Sequence, residues 1–224
     1  MSAASKLRFA VEDGDEVSAL FLRPVKARWL LVLAHGAGAG MSHSFLETLA
    51  SELAAAGVAT FRYQFPYMEK RRRIPDAPAV LTASVRAAVR TATITAPDLP
   101  LLAGGKSFGG RMTSFAAAQQ PLENVRGLVF FGFPLHPPKR PGTARADHLI
   151  NVSVPMLFLQ GSRDQLAKLD LLRPICASLG SRVTLHVVPT ADHSFHVLKG
   201  AGKTDRNVLR ELAQALGSWA ERTC

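Results

Sequence analysis

Short unbroken apolar runs alternate along nearly the whole chain with longer segments whose apolar positions recur three and four residues apart. A strand covered on both faces reads as a continuous apolar run, whereas a helix lying against it shows a single apolar stripe. The alternation therefore specifies a mostly parallel sheet with helices on both faces. No period of about 20 to 50 residues repeats, which sets aside solenoids and propellers. No low-complexity linker interrupts the 224 residues, so 1–224 reads as a single domain.

Residues 7–11 and 17–22 read as opening strands, and the run from Trp29 to Ala34 as a buried strand that stops at His35-Gly36. Phe45, Leu46, Leu49 and Leu53 share one face of a helix that Gly57 is placed to end. A strand is expected over 58–63, and a helix over about 79–93 with Leu81, Val85 and Val89 four apart. Strands follow at 99–104, 125–133, 154–160 and 183–188, with helices from near Gly109 and over 166–179. Leu209, Leu212, Leu216 and Trp219 line a closing helix. The expected total is about eight strands and five or six helices.

The longest apolar runs fall far short of the roughly 20 residues that cross a bilayer, so no membrane span is expected. The first dozen residues lack the apolar core of a secretion signal, and a cytoplasmic location is the expectation. Two cysteines, Cys176 and Cys224, offer no disulfide framework, and no Cys/His cluster has the spacing of a metal site. The formal net charge of +10 raises the question of a polyanion partner. The one concentrated basic run, Lys70-Arg71-Arg72-Arg73, lies in a proline-flanked loop and reads as solvated surface. With no nucleic-acid motif present, no nucleic-acid partner is expected.

The strongest chemical signal is Gly104-Gly105-Lys106-Ser107-Phe108-Gly109-Gly110, a G-x-S-x-G placed between an expected strand and an expected helix. Such a turn is sharp enough to require small flanking residues, and it lifts the serine hydroxyl above the sheet edge. Gly-Lys-Ser also occurs in phosphate-binding loops, but those need a glycine five positions before the Gly-Lys, and Pro100 stands there. A serine hydroxyl needs a base to take its proton and an acid to orient that base. Asp164, just past the 154–160 strand, is the candidate acid, although an aspartate there also suits a helix cap. Past the last strand, Ala191-Asp192-His193-Ser194-Phe195-His196 offers two histidines. His193 is the better base, because a small residue, Asp, His, any residue and Phe is the usual turn in hydrolases, with the aromatic anchoring the loop.

Charge developing on a carbonyl oxygen must be met by preorganised N–H donors. The backbone amide of Phe108 is one candidate. The amide of Ala37 is the other, since the segment from His35 to Gly40 (His-Gly-Ala-Gly-Ala-Gly) resembles the HG-x-G oxyanion loop. A dinucleotide fingerprint is disfavoured, because Arg62-Tyr63-Gln64 stands where an acidic residue belongs.

These residues resemble the α/β-hydrolase superfamily, and within it the dienelactone-hydrolase-like group of small hydrolases that includes the testis-expressed and NSL-complex hydrolase-like proteins. The resemblance runs nearly end to end. Besides the triad it is carried by His35-Gly-Ala-Gly38, Phe65-Pro-Tyr-Met-Glu69 with Arg71-Arg-Arg73, Gly104 to Arg111, Gly132-Phe-Pro-Leu-His-Pro-Pro138 and Asp192-His-Ser-Phe195. It implies an α/β-hydrolase fold of about eight strands with the second antiparallel, no separate cap domain, and a Ser107, Asp164, His193 triad at the C-terminal sheet edge. True dienelactone hydrolases use a cysteine nucleophile where this chain has serine, so their substrate does not carry over.

The long connections 65–76 and 134–153 are expected to overhang Ser107, placing Tyr67, Arg73, Arg111 and His136 near the substrate. Arg111 alternatively fixes the serine turn by pairing with a carboxylate. The expected activity is cleavage of a small ester or thioester through an acyl-enzyme on Ser107, with no metal and no organic cofactor. A non-catalytic scaffold that binds a protein partner is the rival reading, and monomer and homodimer fit equally well.

Overall fold

The computed structural model describes residues 3–11 and 14–224. The strands are β1 (Ser5–Ala10), β2 (Glu16–Leu22), β3 (Trp29–Ala34), β4 (Val58–Tyr63), β5 (Leu101–Lys106), β6 (Val125–Phe131), β7 (Met156–Gly161) and β8 (Val183–Val188). They form one sheet in the order β1-β2-β4-β3-β5-β6-β7-β8. Only β2 runs against the rest: it pairs antiparallel with β1 and β4, and the remaining pairs are parallel. The helices are α1 (Ser44–Ala55), α2 (Pro66–Glu69), α3 (Pro78–Thr95), α4 (Phe108–Gln119), α5 (Leu169–Ser178) and α6 (Asp205–Thr223). This is the α/β-hydrolase fold, and among the described residues no separate cap domain is inserted into it.

The period-2 geometry of a strand divides the core into two layers. Leu30, Val32 and Ala34 of β3 face the layer built with α3, α4 and α5, while Leu31 and Leu33 face the layer built with α1 and α6. In the latter, Leu46, Leu49 and Leu53 of α1 pack with Leu212, Leu216 and Trp219 of α6, the stripes that the spacing predicts. Leu33 and Leu212 are fully buried, and truncating either to alanine should cost about 2–5 kcal/mol.

Most element ends shift by a residue or two from the expectation, and three of the shifts near the serine turn have a local reason. Strand β5 starts after Pro100, which has no N–H to give a ladder, and runs on to Lys106 beside the nucleophile turn. Strand β6 stops at Phe131 because Gly132 turns the chain at φ +71°. Helix α5 starts at Leu169 rather than Leu166, since the preceding residues form a turn in which Asp164 accepts the Leu166 N–H. Among the described residues, no helix is long and apolar enough to cross a membrane.

Candidate active site

All the chemistry-bearing segments leave the C-terminal ends of parallel strands, where ligands bind in open α/β sheets. Ser107 follows β5, Asp164 follows β7, His193 follows β8, and the His35–Gly40 turn follows β3. Ser107 has φ +51° and ψ −115°, a conformation that L side chains rarely adopt. The turn that imposes it is crowded: a Cβ on Gly105 would sit 2.6 Å from the Ala34 carbonyl oxygen, and one on Gly109 2.5 Å from that of His35. Both glycines are therefore required by close approach to the end of β3.

Three side chains from distant parts of the chain meet above this edge. The Ser107 hydroxyl lies 2.8 Å from Nε2 of His193. Nδ1 of the same ring lies 2.6 Å from Oδ2 of Asp164. Asp164 is buried, and its other oxygen accepts the Leu166 backbone N–H at 2.7 Å. Gln160 secures it further: its Nε2 donates to Asp164 Oδ2 at 2.5 Å, while its Oε1 accepts the Phe133 N–H at 3.1 Å. The carboxylate is thus fixed before it meets the imidazole. The second histidine, His196, is exposed and turned to Asp205 of α6 at 2.8 Å, which raises its pKa through that hydrogen bond. Phe195 anchors the loop as its position in the sequence predicts, stacking on Phe45 of α1 with ring centres 6.0 Å apart.

The backbone N–H groups of Ala37 and Phe108 have no acceptor among the described residues. Phe108 opens α4, where N–H groups and the positive end of the helix dipole face the serine. The glycine turn is braced from below. Buried His35 accepts the Phe65 N–H on Nε2 at 3.0 Å and donates from Nδ1 to the Gly36 carbonyl at 2.8 Å, and the Tyr67 hydroxyl donates to the Ala37 carbonyl at 2.8 Å. Burial holds the His35 pKa down at about 4, so the ring is neutral at pH 7.

A cavity of about 820 Å³ opens beside Ser107, between the Gly36–Ala39 turn, the start of α1, the 193–196 loop and α6. Its wall is mainly apolar, with Phe45, Leu46, Leu166, Phe195 and Leu209 among the contributors. None of Tyr67, Arg73, Arg111 and His136 lines it. The long connections 65–76 and 134–153, expected to overhang the serine, contribute no wall to this cavity. Tyr67 is buried under the glycine turn instead. Arg73 is exposed, in a loop folded back by an ion pair of Arg72 with Asp76. His136 is buried with Nδ1 on the Pro137 carbonyl at 2.8 Å, and Arg111 lies partly buried over the Phe108 ring.

Two functional neighbours escape the sequence reading. Gln160 is one; a polar residue closing the apolar run Met-Leu-Phe-Leu is a signal for a buried partner. Lys106 is the other, weighed in the sequence only as part of a phosphate loop. Its Nζ donates to the His193 carbonyl at 2.6 Å and lies 5.7 and 5.6 Å from the ring centres of Phe45 and Phe195. Among the described residues, no group of three or more His, Cys, Asp or Glu side chains is arranged to hold a metal ion.

Comparison with known proteins agrees with this architecture. The family described as alpha/beta hydrolase domain matches residues 27–221. A putative phosphoribosyl transferase of Mycobacterium tuberculosis is 34% identical over 176 residues, covering 77% of this chain but 38% of that protein. A putative carboxymethylenebutenolidase of Methylorubrum extorquens is 29% identical, covering 55% of this chain and 44% of its own. The chain thus spans less than half the length of these curated relatives. Among solved structures, dienelactone hydrolase from Anabaena variabilis superposes with a TM-score of 0.77 at 21% identity, over 98% of this chain and 97% of that one. A lidless serine hydrolase from Xanthomonas campestris gives 0.75 at 20% identity, over 99% and 95%. The fold is thus that of the dienelactone-hydrolase-like proteins, and with the family match spanning most of its length, the chain belongs to the α/β-hydrolase family.

Proposed function

We propose that the protein is a serine hydrolase that cleaves a small ester or thioester through an acyl-enzyme on Ser107, with residues 1–224 acting as one catalytic domain. The observation that carries this reading is the unbroken hydrogen-bond chain from the Ser107 hydroxyl through His193 to buried Asp164, opening on a cavity. In the first half-reaction the Ser107 oxygen bonds to the acyl carbon while His193 Nε2 takes its proton. Negative charge on the former carbonyl oxygen is met by the N–H groups of Phe108 and Ala37. The imidazolium, steadied by Asp164, gives its proton to the departing alkoxide or thiolate as the bond to the acyl carbon breaks. In the second half His193 deprotonates water as its oxygen bonds to the acyl carbon; the bond from that carbon to the Ser107 oxygen then breaks, the imidazolium returns the proton to that oxygen, and the acid leaves. The apolar wall of the cavity supports an acyl or alcohol portion of hydrocarbon character.

Labelling with a fluorophosphonate probe, together with turnover of p-nitrophenyl butyrate, tests this reading. The wild-type protein should be labelled and active, and Ser107→Ala should lose labelling and roughly 1,000-fold or more of kcat/KM while keeping its circular dichroism spectrum. Equal activity in the variant refutes the assignment. Absence of both labelling and turnover in the wild type favours a non-catalytic scaffold.

A further inference from the structure

At the tetrahedral carbon formed on Ser107, the oxyanion turns to the N–H groups of Ala37 and Phe108, while the leaving oxygen must come within hydrogen-bond reach of His193 Nε2, which gives it a proton. The leaving portion of the substrate therefore extends past His193, and the acyl portion takes the direction that remains. The cavity beside Ser107 lies on the side of the base: its wall includes His193 itself, the Phe195 and His196 of the same loop, and Leu209 of α6. Phe195 and Leu209 belong to the core layer that α1 and α6 build. On the other face of the sheet, Phe65 and Tyr67 are fully buried, and Phe65 packs edge-on against the Phe108 ring at 6.0 Å. That side is filled beside the nucleophile turn, so depth for a chain lies with the base rather than opposite it.

The ionisable side chains around the cavity are already engaged within the fold. His43 accepts the Phe45 N–H at 3.3 Å, His196 pairs with Asp205 at 2.8 Å, Arg206 donates to Glu52 at 2.9 Å, and Lys106 donates to the His193 carbonyl at 2.6 Å. A ligand is thus not needed to neutralise any of them. What the cavity offers instead is hydrocarbon contact, from Phe45 and Leu46 on α1, Phe195 on the base loop and Leu209 on α6. An uncharged chain entering there gains by leaving water and forfeits no hydrogen bond.

We infer that this cavity holds the leaving portion of the substrate, and that the preferred substrate joins a short acyl group to a larger, uncharged hydrocarbon alcohol or thiol. The inference rests on the serine-hydrolase reading for the direction that each portion takes, whereas the affinity of the cavity for an uncharged alcohol does not depend on turnover. Leu209 is the residue that sets the size of this portion, because its side chain comes from the helix opposite the base.

Two measurements test it. The first compares kcat/KM for hexyl acetate with that for ethyl hexanoate, by titrating the acid released. The two are isomers with leaving alcohols of nearly equal basicity, and they differ in which side of the carbonyl carries the longer chain. The wild type should prefer hexyl acetate by roughly tenfold or more, and Leu209→Trp, which fills the cavity, should bring that ratio close to one. The second titrates Ser107→Ala with 1-hexanol by NMR, where nothing turns over. The alcohol should bind, and adding Leu209→Trp should weaken binding by roughly tenfold or more. Should Leu209→Trp fail to fold, Thr48→Phe, from a half-buried cavity position on α1, carries both measurements. Equal turnover of the isomers, preference for ethyl hexanoate, or a preference that the cavity variant leaves unchanged overturns the assignment while leaving the serine reading intact. Hydrolysis of neither ester counts against the serine reading, and the alcohol titration then decides on the cavity alone: binding that depends on Leu209 upholds an alcohol site, and absent or unchanged binding overturns it.

Discussion

The ammonium of Lys106 donates to the backbone carbonyl of His193 at 2.6 Å, so the residue preceding the nucleophile holds the loop that carries its base. The slot for this ammonium is narrow: a Cβ on Gly132 would lie 3.1 Å from Nζ and 3.4 Å from the His193 ring. Burial pulls the Lys106 pKa down to about 8, against the raising effect of Asp164 and Asp192. Lys106→Met should therefore lower kcat by roughly tenfold or more with little change in KM, since it loosens the base rather than the substrate. The charge is present below pH 8 and lost above it. Wild-type kcat should accordingly decline as pH rises through about 8, and that limb should be missing from the variant's profile. An unchanged alkaline limb in the variant would assign it to another group.

Tyr67 acts on the opposite side of the reacting centre, through the Ala37 carbonyl. Tyr67→Phe keeps the buried ring, its stack on Phe65 at 6.3 Å and its edge contact with His35 at 6.0 Å, and removes only the hydroxyl. A net hydrogen bond of about 0.5–1.5 kcal/mol then translates into a roughly two- to tenfold loss of kcat. Because Ala37 is assigned to charge that develops in the transition state, KM should stay nearly constant. A change confined to KM contradicts that assignment.

Much of this architecture is legible in the sequence because it is dictated by local geometry. The strand β3 appears as a continuous apolar run, the ends expected for β3, β4 and β8 match those found, and the serine turn announces itself by glycines that close approach demands. The order Ser107, Asp164, His193 is read from loops past strand ends and the choice of His193 over His196 from the Ala-Asp-His-x-Phe turn; the hydrogen bonds bring Ser107, His193 and Asp164 together and turn His196 to Asp205. What sequence reasoning misplaces is the cavity. Its direction depends on how α1 and α6 stand relative to the nucleophile, a tertiary relation that no spacing within one segment encodes. Tyr67 is close in space for a different reason from the one expected, bracing the glycine turn rather than lining the opening. Lys106 escapes because the value of a lysine beside the nucleophile depends on a carbonyl 87 residues away.

Glu52 of α1 joins the two helices that wall the cavity. Its carboxylate is almost fully buried and receives Arg206 at 2.9 Å and Arg210 at 3.1 Å, both from α6. These bonds, that of Arg206 foremost, hold its pKa below the ordinary carboxylate value against the opposing effect of burial. Glu52→Gln keeps the shape and removes the charge, and should cost about 1–3 kcal/mol because the amide leaves one acceptor oxygen for two guanidinium groups and turns an N–H donor toward the other. Both arginines reach solvent, which places the effect well below that of a fully enclosed pair. The sign with pH follows from the lowered pKa: the contribution is complete above the unfolded value and fades as the pH falls through the folded one. Denaturant midpoints at pH 7 and pH 3 should show the two proteins converging at the acid end. A constant gap would mean that the carboxylate acts through packing rather than charge.

His35 sets a second acid dependence at the catalytic edge itself. Its ring is fully buried and accepts the Phe65 N–H on Nε2, a bond that only the neutral imidazole can make. Burial lowers the folded pKa to about 4 from an ordinary 6.5. Between these values the unfolded chain binds a proton that the folded chain refuses, so stability falls as pH drops from 6.5 and levels off below 4. The full loss is about 3 kcal/mol, at a slope approaching 1.4 kcal/mol per pH unit. His148, lowered to about 4 by its own burial beside Ser114 of α4, adds a parallel contribution. His35→Gln should reduce the slope of unfolding free energy against pH by about one proton over this window, whatever it does to stability at pH 8. The His35 ring protons should show no titration by NMR until the pH nears 4. A midpoint near 6.5 would mean that water reaches the ring, and that the turn carrying Ala37 is looser than its hydrogen bonds require.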